Sequence, residues 1–524
     1  MVETNQSKIL EWAEKLLILL SILVVPLICF FEINRSFWLD EAYSYSLAIN
    51  NGFIEIINAV KNTAGPPFYY FLLSIWMKIF GISEIAIRSL SIFFYLLSLP
   101  AIFYLGKITC KDNRSSVVCT FLFMFSPIAY GHSQNARMYS MLAFLTILSS
   151  IFFFKLVLDN PNSKKDLILL TFIHIIGTFT HFWYFFIFFA QAIIYCVLFF
   201  KKEHKSIRIV FLLSTIPFWI LWGPILPLQA TLDDVSWMKS PKIYDLADTV
   251  IGFYGLINPL DVGIYGITDW SRGLLIYIGF IVIILVKIEN NKLQLQYVQQ
   301  IKDFIFEKFN LAFLILFFVS LLTPFAISQI KPLYVSHRYT IIALVPCVMF
   351  FGALISKFGN RLLILTFGYL LLTISVLTII NPTIESVSIT HSDKEAAQYL
   401  IRETKNKDVI IFTGWSLLSI DYYFTLFKLD KDLIKISYTP LNKDIKDKLT
   451  LKAQFQTNEI ITKLRNLPTD ESTKIWVLYD ADTEPNKILR DQLDRNFSMI
   501  RIVNLKGPFF DGILVYKAKQ NTIN

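Results

Sequence analysis

LLILLSILVVPLICFF, residues 16–31, decides what kind of fold this chain can have. The uncharged run is longer than the ~7–15 residues of a secretory signal core, and no small-residue cleavage site follows it. An amphipathic lead carrying Glu11 and Glu14 precedes it, which again is unlike a signal peptide. It reads as the heart of a first membrane-spanning helix over residues 15–34, since a crossing needs about 20 largely apolar residues.

Working outward, comparable runs recur at 86–106, 115–131, 137–156, 166–182, 184–200, 208–229, 271–287, 310–330, 338–356 and 361–380. The composition agrees: 55% of the 524 residues are hydrophobic, 16% aromatic and only 17% charged, outside the soluble range. The expectation is a polytopic α-helical protein with about 11 transmembrane helices. Residues 1–381 form the membrane domain, with a long first external loop at 35–85, and 382–524 form a separate α/β domain.

Orientation follows from the short loops. One side collects Lys107, Lys111 and Arg114, then Lys155, Lys164 and Lys165, then Lys201, Lys202, Lys205 and Arg208, and later Lys287, Lys292, Lys302, Lys308, Lys357 and Arg361. By the positive-inside bias that side, with the N-terminus, is cytoplasmic, and 382–524 are extracytoplasmic. Residues 66–80 (PPFYYFLLSIWMKIF) are apolar, but counting them as a crossing inverts this bias, so they read as an interfacial or re-entrant helix started by its prolines. A second irregular stretch is 244–265, broken by Gly252, Gly255, Pro259 and Gly263.

The net charge of +9 comes from these clusters between apolar runs, with no zinc-finger spacing or basic recognition helix, which argues against a nucleic-acid partner. Cys29, Cys110, Cys119, Cys196 and Cys347 lie in or beside apolar runs, with neither metal nor disulfide spacing, and read as buried small hydrophobes.

Polar residues that a bilayer protein would otherwise exclude carry the functional signal. The first loop opens with Arg35-Ser36-Phe37-Trp38-Leu39-Asp40-Glu41-Ala42-Tyr43. Neighbouring carboxylates on a helix point in different directions, so Asp40 and Glu41 do not both face one small site. Two readings of Asp40 stand at this point: a general base whose proton affinity partial desolvation raises, or the N-cap of the next helix with Glu41 in its first turn. Asn62-Thr63-Ala64-Gly65-Pro66-Pro67 follows as an extended turn. His132, Gln134, Asn135, Arg137 and Tyr139 crowd the end of the third span, and Lys331, Tyr334, His337, Arg338 and Tyr339 the start of the tenth. Arg137 reads either as a phosphate-binding fork or as a snorkelling interfacial arginine. His181, Trp183, Asp233, Asp234 and Trp237 are lesser candidates, and His174 reads as a satisfied interior histidine.

All these groups fall on one face of the bundle: a base candidate from one loop, cations from two others. That suits transfer chemistry on a lipid-linked phosphate. The alternative is a transporter or flippase for a lipid-linked sugar, which needs no base but places its polar groups near the midplane on broken helices, usually with an internal repeat. Neither feature is evident.

FWLDEAYSYSLA (37–48), GPPFYYFLLSIWMKIFGISEIAIRSLS (65–91), SQNARMYSMLAFL (133–145) and SHRYTIIALVP (336–346) together resemble the integral membrane glycosyltransferases related to protein O-mannosyltransferases, lipid A aminoarabinose transferases and rhizobial lipopolysaccharide core transferases. The similarity covers about residues 15–355. It implies their membrane glycosyltransferase fold and an inverting transfer of a hexosyl or pentosyl group from a polyprenyl-monophosphate donor to an acceptor hydroxyl on a lipid, glycan or protein of the cell envelope, at the extracytoplasmic face of the plasma membrane. It implies Asp40 as catalytic base with Glu41 beside it, and Arg137 and Arg338 as donor-phosphate contacts. His337 and Lys331 are expected to aid them, and Trp38, Tyr43 and Tyr139 to orient substrate. Where relatives often carry a histidine or charge before the double proline, this chain has Gly65, so any acceptor or metal contact from that side chain is lost. The sequence holds no decisive metal-ligand set, and no cofactor is identified; some relatives use a divalent metal.

Beyond Asn381 the pattern changes to helix 391–405, strand 408–414, strand 433–438, a helix near 451–466, strand 474–480, helix 485–494 and two terminal strands, SMIRIVNL and DGILVYKA. This predicts a small α/β sandwich with a mostly parallel sheet and no phosphate-loop or dinucleotide fingerprint.

Overall fold

The computed structural model describes residues 2–30, 33–49, 52–63, 65–202, 204–230, 238–255, 270–289, 292–295, 298–380, 392–414, 416–438, 446–466, 473–479, 484–505 and 510–518. It resolves into two compact units. One comprises Met1–Ile33, Asn50–Phe80 and Ile85–Pro382; the other comprises Asn34–Ile49, Gly81–Glu84 and Thr383–Asn524.

The first unit is helical apart from one antiparallel strand pair, Val286–Glu289 with Lys292–Leu295, and a helix occupies each of the eleven expected positions. By length and apolarity the count is smaller. Among the described residues five helices are long enough to cross a membrane: Lys8–Phe30, Glu84–Cys110, Tyr139–Leu158, Lys308–Ile327 and Ile341–Phe358. Two bent pairs, Asn113–Met124 with Pro127–Ser133 (60°) and Lys205–Leu221 with Gly223–Ala230 (47°), raise it to seven. The expected spans at 184–200, 271–287 and 361–380 are occupied by the shorter apolar helices Tyr184–Phe199, Arg272–Leu285 and Arg361–Val376. Uniform hydrophobicity cannot reveal such bends: Pro127 stands at the first turn after the break, where its missing N–H costs nothing. The chain is an integral membrane protein.

Phe68–Phe80 is a helix of 13 residues, about 20 Å at 1.5 Å per residue, too short for a ~30 Å hydrocarbon core. Its Trp76 indole donates to Ala86 O (3.0 Å) and Ser89 Oγ (2.9 Å). In the 244–265 stretch a helix runs from Ile243 to Gly252; Pro259 and Gly263 lie outside the described residues. Cys29, Cys119 and Cys347 are buried, but Cys110 is half-buried and Cys196 exposed, so the expectation of five buried thiols is corrected there. His174 is buried, with Nδ1 3.2 Å from the Tyr184 hydroxyl.

One close approach sets the spacing of the functional loops. A Cβ on Gly352 would meet Cys119 Sγ at 2.4 Å, so the Ile341–Phe358 helix lies directly against Asn113–Met124. Only a residue without a side chain permits that. These two helices lead to the 336–340 and 130–139 segments.

The second unit carries a five-stranded sheet in the order Ile434–Tyr438, Val409–Thr413, Lys474–Tyr479, Gly512–Ala518, Phe497–Val503. The first three strands are parallel, and the last two join antiparallel. The expected mostly parallel sheet is therefore mixed: the connection from Val503 to Gly512 is too short for the dozen or more residues of a parallel crossover. Val409–Thr413 is buried throughout, which accounts for its unbroken apolar sequence. Val409, Ile411, Val477 and Leu514 pack with Ile460, Ile461 and Leu464 of the Lys446–Asn466 helix and Leu489 and Leu493 of the Glu484–Asn496 helix. Between Val409–Thr413 and Ile434–Tyr438 in chain order stands a further helix, Ser416–Leu426.

Asp393, at the start of the Ser392–Glu403 helix, is fully buried and accepts a hydrogen bond from Ser419 Oγ (2.6 Å). Burial raises its carboxyl from 3.8 to about 7, against the opposing Ser419 bond. The folded state therefore binds this proton more tightly than the unfolded chain. The stabilisation is complete below the unfolded value near 4 and is lost as pH rises through about 7. Thermal unfolding of the full chain from pH 5 to pH 8 should show this unit melting progressively lower in wild type, and Asp393→Asn should flatten that dependence.

Candidate active site

Within the membrane unit, four segments bring polar and aromatic side chains together. The 134–138 turn follows the bent pair and is pinned by its backbone: Ser91 Oγ donates to Asn135 O (2.6 Å) and Arg137 O (3.1 Å), and the Gln134 amide donates to Ile28 O. Arg88, fully buried, donates to Ile33 O (2.6 Å) and fixes where the chain leaves the first helix. Arg137 is half-buried, with its guanidinium 5.9 Å from the centre of the Tyr139 ring.

The second segment, 334–340, turns on His337. Its φ of +67° lies in the left-handed region, which costs a non-glycine residue roughly 1–2 kcal/mol. Local bonds hold it there: the His337 N–H donates to Thr340 Oγ1 (3.1 Å), and its carbonyl accepts from His132 Nε2 (2.7 Å). A carbonyl only accepts, so that bond assigns the His132 proton to Nε2. The His337 ring places Nε2 2.6 Å from Asp248 Oδ2, and the other oxygen of Asp248 accepts from the Trp270 indole (2.9 Å). Arg338 is 4% exposed, and Arg338, His337 and Arg137 all lie within electrostatic reach of His132.

Aromatic rings close the cluster. Tyr139 meets His132 at 4.6 Å and Tyr339 at 6.0 Å, while Tyr339 meets His181 at 4.8 Å and Trp183 at 5.5 Å. Trp183 also touches Tyr334 (5.8 Å), whose hydroxyl lies 2.7 Å from Thr249 Oγ1. Three buried polar atoms, His132 Nδ1, His337 Nδ1 and the Tyr139 hydroxyl, take no hydrogen bond from the described residues. A buried polar group is normally paired, so a polar ligand suits this cluster.

Of the residues singled out in the sequence, Arg137, Tyr139, His337 and Arg338 therefore converge here, joined by His181 and Trp183. Lys331 is exposed, and Asp233, Asp234 and Trp237 lie outside the described residues. Asp248 and Arg272 escaped sequence reading. Asp248 is a lone acid in IYDLADTVIG, a signal of the kind that singled out Asp40 but without a dense polar neighbourhood, and Arg272, beside the Tyr130 hydroxyl, opens an apolar helix. Among the described residues no group of three His, Cys, Asp or Glu side chains is placed to hold a metal ion. Replacing Asp248 by Asn withdraws the charge facing His337. A hydrogen bond to a charged group is worth ~1.5–3 kcal/mol, so the thermal unfolding temperature should fall, with size-exclusion behaviour unchanged.

The other candidates lie in the second unit, on the Leu39–Ala48 helix. Its N-cap is Trp38 (φ −92°, ψ 170°), not Asp40, and Glu41 reaches back to the Trp38 N–H at 3.5 Å. Capping thus falls to Glu41, which is fully buried, while Asp40 occupies the first turn and is half-buried. Tyr43 shares the Asp40 face at i+3 and is also half-buried, as is Trp38.

No family model matches the chain, and neither does any curated protein. Among solved structures it is similar to ArnT from Cupriavidus metallidurans in the apo state, with a TM-score of 0.62 at 12% identity over 95% of this chain and 97% of that one. The same ArnT bound to undecaprenyl phosphate gives 0.60 at 10% identity over 96% and 98%. The mycobacterial arabinofuranosyltransferase AftD gives 0.51 at 9% identity, over 97% of this chain and 42% of that one. At these identities the likeness is one of fold, and it is the fold that the four sequence blocks imply.

Proposed function

We propose that the chain is a membrane glycosyltransferase that moves a sugar from a polyprenyl-monophosphate donor to an acceptor hydroxyl, with inversion, at the extracytoplasmic face of the plasma membrane. The observation that carries this reading is the convergence of Arg137, Arg338 and the His337–Asp248 pair with unpaired buried polar atoms, in a fold shared with a protein solved bound to undecaprenyl phosphate.

The guanidinium forks of Arg137 and Arg338 hold the donor phosphate and oppose the charge that grows on it as the sugar departs. His337 and Lys331 supplement them. Asp40 accepts the proton of the attacking hydroxyl. The acceptor oxygen bonds to the anomeric carbon, the bond from that carbon to the phosphate oxygen breaks, and polyprenyl phosphate leaves with the electron pair. Tyr139, Trp38 and Tyr43 offer ring faces to the sugar or to the first prenyl units. Glu41 acts beside Asp40 by fixing the start of its helix. The acceptor is a lipid, glycan or protein of the envelope, and residues 382–524 lie on the same extracytoplasmic side.

The test uses isolated membranes with and without the chain, supplied with radiolabelled glycosyl polyprenyl phosphate. Label should appear in a covalent, donor-free product only where the chain is present. Equal product in both membranes would refute the proposal.

A further inference from the structure

The helix that carries Asp40 belongs to the α/β unit, and two tyrosines of that unit fix it. The Phe37 N–H donates to the Tyr423 hydroxyl (2.8 Å), one residue before the N-cap. The Phe37 ring stacks on Tyr422 at 4.3 Å and 26°, and Tyr45 meets the same Tyr422 ring edge-on at 4.8 Å and 73°. The Tyr422 hydroxyl in turn donates to Ile82 O (2.9 Å). Nearby, Lys394 pairs with Glu84 (2.7 Å) and reaches Asn34 O (3.4 Å). Segments 34–49 and 81–84 are thus tied to the Ser392–Glu403 and Ser416–Leu426 helices. Both tyrosines are buried, although neither belongs to any motif that points to catalysis.

We infer that Tyr422 and Tyr423 are positioning residues that set the direction of the Asp40 carboxylate. The inference rests on the proposed transfer reaction. At about 100° per residue a helix has one free rotation about its axis, and two anchors remove it. Tyr423 holds the chain just before the helix starts, and Tyr422 holds Tyr45 about two turns further on. Asp40, five residues before Tyr45, lies about 140° around the helix axis from it and is half-buried. The area gained by these contacts does not require hydroxyls; the Phe37 N–H, buried beside an apolar ring, does require an acceptor. A small rotation of the helix moves the carboxylate relative to its acceptor, and errors of an ångström in such a group cost up to about 100-fold in rate.

Three variants of the full chain in nanodiscs test this: Tyr422→Ala, Tyr422→Phe and Tyr423→Phe. Turnover and donor KM are measured alongside amide exchange of residues 37–48, with the 409–413 and 474–479 strands as the control for an intact sheet. Tyr422→Ala should lower kcat about 10- to 100-fold with donor KM within about twofold, and should speed exchange in 37–48 while the sheet stays protected. Tyr422→Phe keeps the stacked ring and should recover most of kcat. Tyr423→Phe should speed exchange at Phe37 itself and lower kcat. Normal kcat in Tyr422→Ala or in Tyr423→Phe, with transfer abolished by Asp40→Asn, would overturn the positioning role and leave the transfer reaction standing. Equal losses in Tyr422→Ala and Tyr422→Phe, accompanied by loss of sheet protection, would assign the tyrosines to domain stability and overturn it too. No transfer by wild type would overturn the reaction and this role together.

Discussion

Asp40→Asn is expected to lower kcat for sugar transfer by about 10²- to 10⁴-fold, the usual worth of a general base, while donor binding persists. The substitution is nearly isosteric, and loss of a helix cap does not confound it. Asp40 does not cap its helix, because Trp38 is the N-cap and Glu41 supplies the returning carboxylate. Loss of one negative charge in a first turn costs about 0.3–1 kcal/mol, whereas a thousandfold loss of rate corresponds to about 4 kcal/mol of barrier. Folding and chemistry therefore separate in this variant. Glu41→Gln should show the reverse emphasis: its side chain is fully buried, so thermal stability should fall while residual turnover exceeds that of Asp40→Asn. Unfolding temperature and turnover, measured on the same two preparations, check both statements. A Glu41→Gln variant as inactive as Asp40→Asn at full stability would move the base to Glu41.

Arg338→Gln is expected to cost the second-largest effect, about 10²- to 10³-fold in kcat/KM for the donor, the scale measured when one preorganised donor to a developing anion is removed. Arg338 is buried in a segment whose backbone is already held in a left-handed turn by Thr340 and His132, so the guanidinium projects from a fixed base. Arg338→Lys keeps the charge but loses the two-pronged fork and should recover only part of the activity. Arg137 is half-buried and lies over Tyr139, so Arg137→Lys should be milder. The double variant Arg137→Gln/Arg338→Gln should fall short of the product of the single losses, as groups that share one anion do. Donor kinetics on these variants decide this, and a strictly multiplicative double variant would argue for separate ligands.

The membrane class was legible because charge is so costly in hydrocarbon that an uninterrupted apolar run such as 16–31 points to a bilayer. The same physics made Arg137 and Arg338 visible, since the loop charges predict that both lie on the charge-poor side, where a cation needs a reason. What stayed hidden is contact over long separations. Phe37 and Tyr423 meet across 386 positions, and nothing in FWLDEAY announces a partner in DYYFTL. Asp248 drew no notice in the sequence, and the structure sets it 2.6 Å from His337. Asp40 as an N-cap was a fair reading of Leu-Asp-Glu, and the structure moved the cap two residues earlier because Glu41 is three residues beyond Trp38, the spacing at which a carboxylate reaches back. The bends near Pro127 and Gly223 shortened helices that apolarity alone drew as continuous. Strand direction at the C-terminus was readable from the short 504–511 connection, a cue weaker to the eye than the βα alternation before it.

In the proposed reaction sugar leaves its lipid phosphate and becomes covalently bound to an acceptor, and counting both products tests this directly. The purified chain in nanodiscs is given a polyprenyl monophosphate bearing a radiolabelled sugar, with membrane extract as the acceptor source, and both products are counted. One polyprenyl phosphate is expected for each sugar found in covalent product, with both reduced about 10²- to 10⁴-fold in Asp40→Asn. Label that stays on its polyprenyl phosphate, whether bound or carried across a bilayer, would contradict it.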